Sequence, residues 1–377
     1  MRKILFVANV TKEHILKFHI PTIKKFKDEG WIVEVASSGE EEVPYCDKKY
    51  NMPWKRSPFS LKTFMGIKAL QKVINDGDYD IIYCHTPVGG LVARIASLRV
   101  KRKLGTRVVY FAHGLHFYKG APVFNWIIYY PIEKLLAKFT DAIITINEED
   151  YINSKNLLNV SETYLIDGIG VNISEYNFPL KENVRKQLRD ELNIQNNACV
   201  LIYLAELIKN KNQKMLLDVL KIVWNEFPNT YLILAGFDHN NGKYQEYAKK
   251  IGVFENVRFL GWRSDKAELY ASADICTASS IREGFGINII ESLASGLQVV
   301  ATNNRGHSTI IKNGVNGYLV DINDSTAMAN KICKIIKKQS CVVVSEKDLL
   351  KYDENVITEK IYNLVLGKEQ NVLLPKI

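Results

Sequence analysis

Two glutamates, Glu283 and Glu291, stand eight residues apart in the run SSIREGFGINIIESLASG (Ser279–Gly296). Eight residues are a little over two helical turns, so both acids can address one ligand from different depths. Their carboxylates accept hydrogen bonds, which sugar and ribose hydroxyls donate. Gly284, Phe285 and Gly286 lie between them at a turn. Glycines there allow close backbone approach, and free amides at a helix start suit an anion. Two acids at this spacing arise often by chance. The setting adds meaning: a predicted strand (Asp274–Ala278) precedes them, and Ala294-Ser295-Gly296 leads into another. A ligand bearing both phosphate and hydroxyl groups fits this combination.

Other candidates also follow strand-like runs. Lys211 lies in AELIKNKNQ (Ala205–Gln213), with Lys209 beside it, and FLGWR (Phe259–Arg263) holds Gly261, Trp262 and Arg263. Earlier, AHGLHFYKG (Ala112–Gly120) offers His113 and His116, and KEHILKFHIP (Lys12–Pro21) offers His14 and His19. Each histidine has a structural reading too, as a capping or core residue. Two further patterns are set aside. Asp76-Gly77-Asp78-Tyr79-Asp80 contains Asp-x-Asp spacing, but it precedes a strand and Gly77 marks a turn, so its acids read as solvated. Asp167-Gly168-Ile169-Gly170-Val171 lacks the third glycine of a dinucleotide loop.

These residues need a scaffold. Short apolar runs (Lys3–Ala8, Trp31–Ala36, Asp80–His85, Arg107–Ala112, Asp141–Ile146 and Thr163–Ile166) alternate with helical stretches at Ile15–Glu29, Phe59–Asn75 and Pro122–Phe139. The rhythm breaks over Gly168–Glu182, then resumes with strands at Cys199–Ala205, Tyr231–Gly236, Val257–Gly261, Ala273–Thr277, Leu297–Thr302 and Gly317–Val320. Strands apolar on both faces and joined by helices predict α/β architecture: two doubly wound parallel sheets in tandem. The expected divisions are 1–172, a linker over 173–190, a second domain over 191–348, and a helix and tail over 349–377 that packs back on the first domain. Such sheets bind ligands beyond the carboxyl ends of their strands, which predicts a central cleft between the domains.

At 377 residues, two domains are the default; 47% apolar and 24% charged residues describe a globular chain. The cysteines at 46, 84, 199, 276, 333 and 341 lack metal-ligand spacing and read as reduced thiols. MRKILFVANV at the start reads as a strand rather than a signal peptide, because a polar run follows at once. No unbroken run of about 18 apolar residues occurs. The net charge is +9, and no acid lies between Asp80 and Glu133. Arg94, Arg99, Lys101, Arg102 and Lys103 fall in that stretch with Arg107 and Lys119, and point to an anionic membrane surface. A merely solvated basic face reads the same way. Nucleic acid is not expected, since no reading module accompanies the charge. The nearby Phe117, Tyr118, Phe124, Trp126, Tyr129 and Tyr130 suit a membrane interface or a core, and core packing is expected for most.

The Glu283–Glu291 block, Gly306 and NGVNGYLVD (Asn313–Asp321) resemble family 4 of the retaining glycosyltransferases over nearly the full length. Within it the chain is most similar to capsular polysaccharide and exopolysaccharide transferases. The resemblance implies the GT-B fold, a nucleotide-sugar donor with uracil as the base, and no metal or other cofactor. It implies a glycan acceptor, here a polyprenyl-diphosphate-linked one, and a place at the inner face of the cell membrane. It assigns the donor diphosphate to Lys211 and leaves the second cation unassigned, with Lys209 and Arg305 as candidates. The base goes to Gly261, Trp262 and Arg263, and the donor contacts to Gly284, Phe285, Gly286 and Glu291. His113 and Glu283 become catalytic, and His14, His19 and His116 acceptor-side. Glu206 departs from the pattern, standing where many members carry arginine, and Ala205 where glycine is common. Two alternatives are a sugar-nucleotide epimerase of GT-B fold and a non-catalytic partner in polysaccharide assembly.

Overall fold

Strands with apolar side chains on both faces are stable only between two layers of helix, and this chain follows that rule. The computed structural model describes residues 1–54, 60–176, 181–339, 342 and 344–368. They form two compact units: Met1–Gly170 with the segment from Glu354 onward, and Val171–Asp353. The first unit contains β1 (Lys3–Val10), β2 (Ile32–Ser38), β3 (Lys48–Asn51), β4 (Ile81–His85), β5 (Arg107–Ala112), β6 (Ala142–Thr145) and β7 (Glu162–Leu165). These make one parallel sheet in the order β3-β2-β1-β4-β5-β6-β7. The second contains β8 (Cys199–Leu204), β9 (Thr230–Ala235), β10 (Val257–Gly261), β11 (Ile275–Ala278), β12 (Gln298–Thr302) and β13 (Tyr318–Val320). Their parallel order is β10-β9-β8-β11-β12-β13.

Both units are therefore doubly wound and Rossmann-like. Each strand order reverses once, between β1 and β4 and between β8 and β11. At such a point the loops leaving neighbouring strands diverge and open a crevice beyond their carboxyl ends.

Several elements differ from the sequence expectation, each for a local reason. β3 is a polar, half-exposed strand (KKYN) with no apolar alternation to reveal it; it adds to the edge of β2. The helix expected over Ile15–Glu29 is broken in two. A π-turn spans Thr11–Ile15, and a regular helix restarts at Ile20 with Pro21 in its first turn. Phe59, the expected start of the next helix, lies outside the described residues, and the helix runs Leu61–Gly77 with Ser60 as its cap. Part of the stretch read as a linker is the helix Lys181–Glu191 of the second unit. There Arg189 is buried and binds Asp274 Oδ2 at 2.9 Å.

The helix Glu354–Val365 belongs to the first unit. Its Tyr362 meets Phe26 edge-on at 4.8 Å, and Arg107 Nε donates to Val365 O at 3.0 Å. Among the described residues no helix is long and apolar enough to cross a membrane.

Candidate functional site

In the second unit the loops after β8 and β11 meet at the switch point. Ile281 N donates to Asn210 O at 2.8 Å, Asn210 Nδ2 to Arg282 O at 2.9 Å, and Ser279 Oγ to Lys211 O at 2.8 Å. This stitching holds Lys211 Nζ 2.5 Å from Glu283 Oε1, and the same oxygen accepts from Ser280 Oγ at 2.6 Å. Gly306 lies directly under the acid: a Cβ there would sit 2.6 Å from Glu283 Cβ, so any larger residue would displace it. Arg305 Nε reaches Glu283 O at 3.4 Å, while Lys209 is exposed. The helix Ile287–Ala294 starts at this point, and its N-cap Gly286 has no side chain to satisfy the first amides. Amides, two cations and a carboxylate thus converge where a phosphate and a hydroxyl-bearing group can be held together. Glu206 is on the rim, 3.9 Å from His239.

His307, which sequence reading did not single out, completes this corner. It is fully buried beneath Gly286, whose added Cβ would lie 3.3 Å from His307 Cδ2. Its Nδ1 is 2.8 Å from Thr302 O, which fixes the proton on Nδ1 and leaves Nε2 unpartnered. Burial lowers its pKa to about 4 from an ordinary 6.5. Between these values the unfolded chain binds the extra proton, so His307's contribution is complete above pH 6.5 and is lost as pH falls toward 4. The loss reaches about 3 kcal/mol for a shift of this size. His307→Gln should therefore flatten the fall in melting temperature between pH 7.5 and pH 4.5. An unchanged slope would show that His307 is protonated in the folded chain.

Glu291 lies at the next depth and is buried. It accepts from Tyr176 OH at 3.0 Å and Tyr270 OH at 3.1 Å, and pairs with Lys266. Tyr176 comes from the 3-10 turn Ile173–Tyr176 and Tyr270 from the helix Lys266–Ala271, so Glu291 ties three segments together. Neither tyrosine was predicted to take part. A ribose hydroxyl arriving here would join or displace Lys266, whose side chain is 47% exposed.

At the end of β10, Gly261 has φ +63° and Trp262 is 60% exposed, stacked on the equally open Phe237 at 6.0 Å and 17°. That face suits a flat heterocycle. Arg263 is committed to Asp265 and Glu191. Phe285 packs against the second unit's core, near Tyr352.

In the first unit the crevice between β1 and β4 is a cavity of about 370 Å³, lined among others by Asn9, Glu13, His14, Leu91, His116 and Tyr129. His116 stacks on Tyr129 at 4.5 Å. His19 and His113 lie behind His14, together with His85, the last residue of β4, which sequence reading passed over. Each of the four offers a ligand nitrogen, and these all lie within 4.8 Å of one another. His113 keeps a partly open surface, but its Nε2 is sealed off and unpartnered.

The expected membrane-facing cations separate. Arg94 cannot meet a membrane: it is completely buried, forked onto Glu133 at 2.8 and 2.9 Å, with its guanidinium 4.1 Å over the Tyr110 ring. It sits in the last turn of the helix PVGGLVARIA, which packs against β1 and β4. Lys101 pairs with Asp141, and Arg107 with Glu162. Arg99, Arg102 and Lys103 are exposed. So are the apolar Leu61, Phe64 and Met65, and Val123, Phe124 and Ile127. Of the aromatic run, Phe117 is core, packed on Trp126 and Tyr130.

Comparison with known proteins agrees with this geometry. Residues 184–356 match the family model described as glycosyl transferases group 1, and residues 3–147 the one described as glycosyl transferase 4-like. The putative glycosyltransferase EpsD of Bacillus subtilis is 44% identical over 338 residues, 89% of this chain and 88% of that protein. The N,N'-diacetylbacillosaminyl-diphospho-undecaprenol alpha-1,3-N-acetylgalactosaminyltransferase of Campylobacter jejuni is 26% identical, covering 93% of this chain and 96% of its own. HepE of Anabaena, solved with UDP and glucose, superposes with a TM-score of 0.77 at 22% identity over 97% of this chain and 100% of that one. The lipopolysaccharide glycosyltransferase WaaG gives 0.71 at 16%, over 97% and 100%. The two Rossmann-like units are thus those of the GT-B fold.

Proposed function

We propose a reaction on one premise: the chain belongs to the glycosyl transferases of group 1 and is a glycosyltransferase. The donor is a UDP-sugar and the acceptor a membrane-associated glycan carried on a polyprenyl diphosphate, in the making of a cell-surface polysaccharide. The pairing of Lys211 with Glu283 at the switch point, beside the amide-bearing helix start, carries this reading. With the donor bound, Lys211 and Arg305 face its diphosphate, and Glu283, released from the ion pair, accepts from a sugar hydroxyl. Glu291 takes the ribose, and Gly261 with Trp262 takes the base. His113 positions the sugar ring. Such cations and the helix dipole neutralise the departing nucleotide, so no metal is needed at the diphosphate. By its resemblance to retaining transferases, attack by the acceptor hydroxyl occurs on the same face as departure, with net retention at the anomeric carbon. The cavity holding His14 and His116 receives the acceptor. Arg99, Arg102 and Lys103, with the exposed apolar side chains, hold the protein peripherally at the inner membrane face.

The support is of three kinds: the donor-side geometry, a C. jejuni relative whose name specifies an undecaprenol-diphosphate acceptor, and HepE, solved with UDP. A screen of nucleotide sugars against lipid-linked acceptors, scored by nucleoside diphosphate release, tests the reading. Acceptor-dependent UDP release without added Mg²⁺ or Mn²⁺ is expected. No release with any pair would overturn it. Glu291→Ala should also weaken UDP binding about 10- to 100-fold, the worth of a hydrogen bond to a charged group. Isothermal titration checks this, and unchanged affinity in a folded variant would remove Glu291 from the ribose.

A further inference from the structure

We propose that His14, His19, His85 and His113 form a binding site for one zinc-class divalent cation inside the first unit. The four side chains come from the carboxyl ends of three neighbouring strands: His14 and His19 follow β1, His85 ends β4, and His113 follows β5. Their ligand nitrogens lie within 4.8 Å of one another, and the Nε2 atoms of His14 and His19 are 3.1 Å apart. A tetrahedral ion with metal–nitrogen bonds of about 2.0–2.1 Å sets its ligand nitrogens about 3.3 Å apart, so modest ring rotations close the shell.

The local winding serves this convergence. In a regular α-helix, residues five apart diverge by about 140°. The π-turn Thr11–Ile15 and the break at His19 instead bring both rings to one side, at 4.8 Å between centroids. Such π-turns are rare and are frequent at functional sites.

A second, independent observation comes from unsatisfied polar atoms. Both nitrogens of the fully buried His85, and Nε2 of His113, have no hydrogen-bond partner. Leaving such groups dry is costly, and a metal ion is one of the few occupants that satisfies lone pairs from several directions at once. An all-nitrogen donor set selects zinc, cobalt, nickel or copper over magnesium, calcium or manganese. The site therefore departs from the expectation of a metal-free chain. It would lock the π-turn beside the cavity and fix the ring of His113.

The test uses the full-length chain, stripped with chelator at neutral pH and back-titrated with Zn²⁺ or Co²⁺. One equivalent per chain is expected, with the intense visible bands of tetrahedral cobalt and a rise of several degrees in melting temperature. His14→Gln combined with His19→Gln should lose that equivalent, while His239→Gln keeps it. Circular dichroism verifies that each variant is folded. Substoichiometric binding, the weak spectrum of six-coordinate cobalt, or an equivalent that survives the double substitution would overturn the site. The unpartnered nitrogens would then be satisfied by internal water. If the double variant does not fold, the stoichiometry and spectrum of the unsubstituted chain decide alone.

Discussion

Lys211→Ala should lower kcat by about 10²- to 10³-fold, the usual cost of removing one preorganised group that meets charge developing in a transition state. Lys211 is held by the stitched loops before any donor arrives, at 2.5 Å from Glu283 and with its carbonyl fixed by Ser279. Its charge is thus oriented in advance. As the glycosidic bond stretches, negative charge moves onto the nucleoside diphosphate, and a fixed cation there stabilises the transition state more than the ground state. Turnover should accordingly fall together with kcat/KM, while UDP affinity changes less. Thermal unfolding should move little, because the ion pair is partly exposed and Glu283 retains Ser280 as a donor. Steady-state kinetics with nucleoside diphosphate detection, paired with UDP titration, gives both numbers. A variant with unchanged kcat and a raised KM alone would mean that Lys211 only holds the ground state.

Arg94→Ala should destabilise the first unit by about 3–5 kcal/mol, because it leaves the carboxylate of Glu133 buried without its partner. The guanidinium is completely buried, forked onto Glu133, stacked on Tyr110 and donating from Nε to Gly90 O. The double substitution Arg94→Met with Glu133→Leu should recover most of the loss, since replacing both charges with apolar groups removes their desolvation cost. Denaturant unfolding of the two variants checks this. An Arg94→Ala midpoint within error of the parent would show that Glu133 reaches water or takes up a proton.

The same arginine shows where sequence reading stops. In PVGGLVARIA it is the one charged residue of an apolar helix, yet its neighbours in the chain are basic, so it was grouped with Arg99, Arg102 and Lys103. Its true partner is 39 residues away. The strands were legible because burial on both faces writes an unbroken apolar run, as in KILFVANV. The edge strand Lys48–Asn51 has one exposed side and a polar sequence, and so left no such record. Glu283, Gly286 and Lys211 lie in short segments that follow β11 and β8, where topology alone predicts a crevice. Tyr176 and Tyr270 on Glu291, His307 under Gly286, and the meeting of His85 with His14 are products of tertiary folding. No local spacing encodes them.

The path of the chain also has a consequence for its synthesis. Residues 171–353 are made in full before the helix Glu354–Val365 can emerge, yet that helix covers Phe26 and binds Arg107 in the unit begun first. During translation the later-made unit is therefore the earlier to be finished. The amino-terminal unit waits with the Tyr362-facing side of Phe26 uncovered until this helix arrives, the interval in which a nascent chain is most exposed to misassociation.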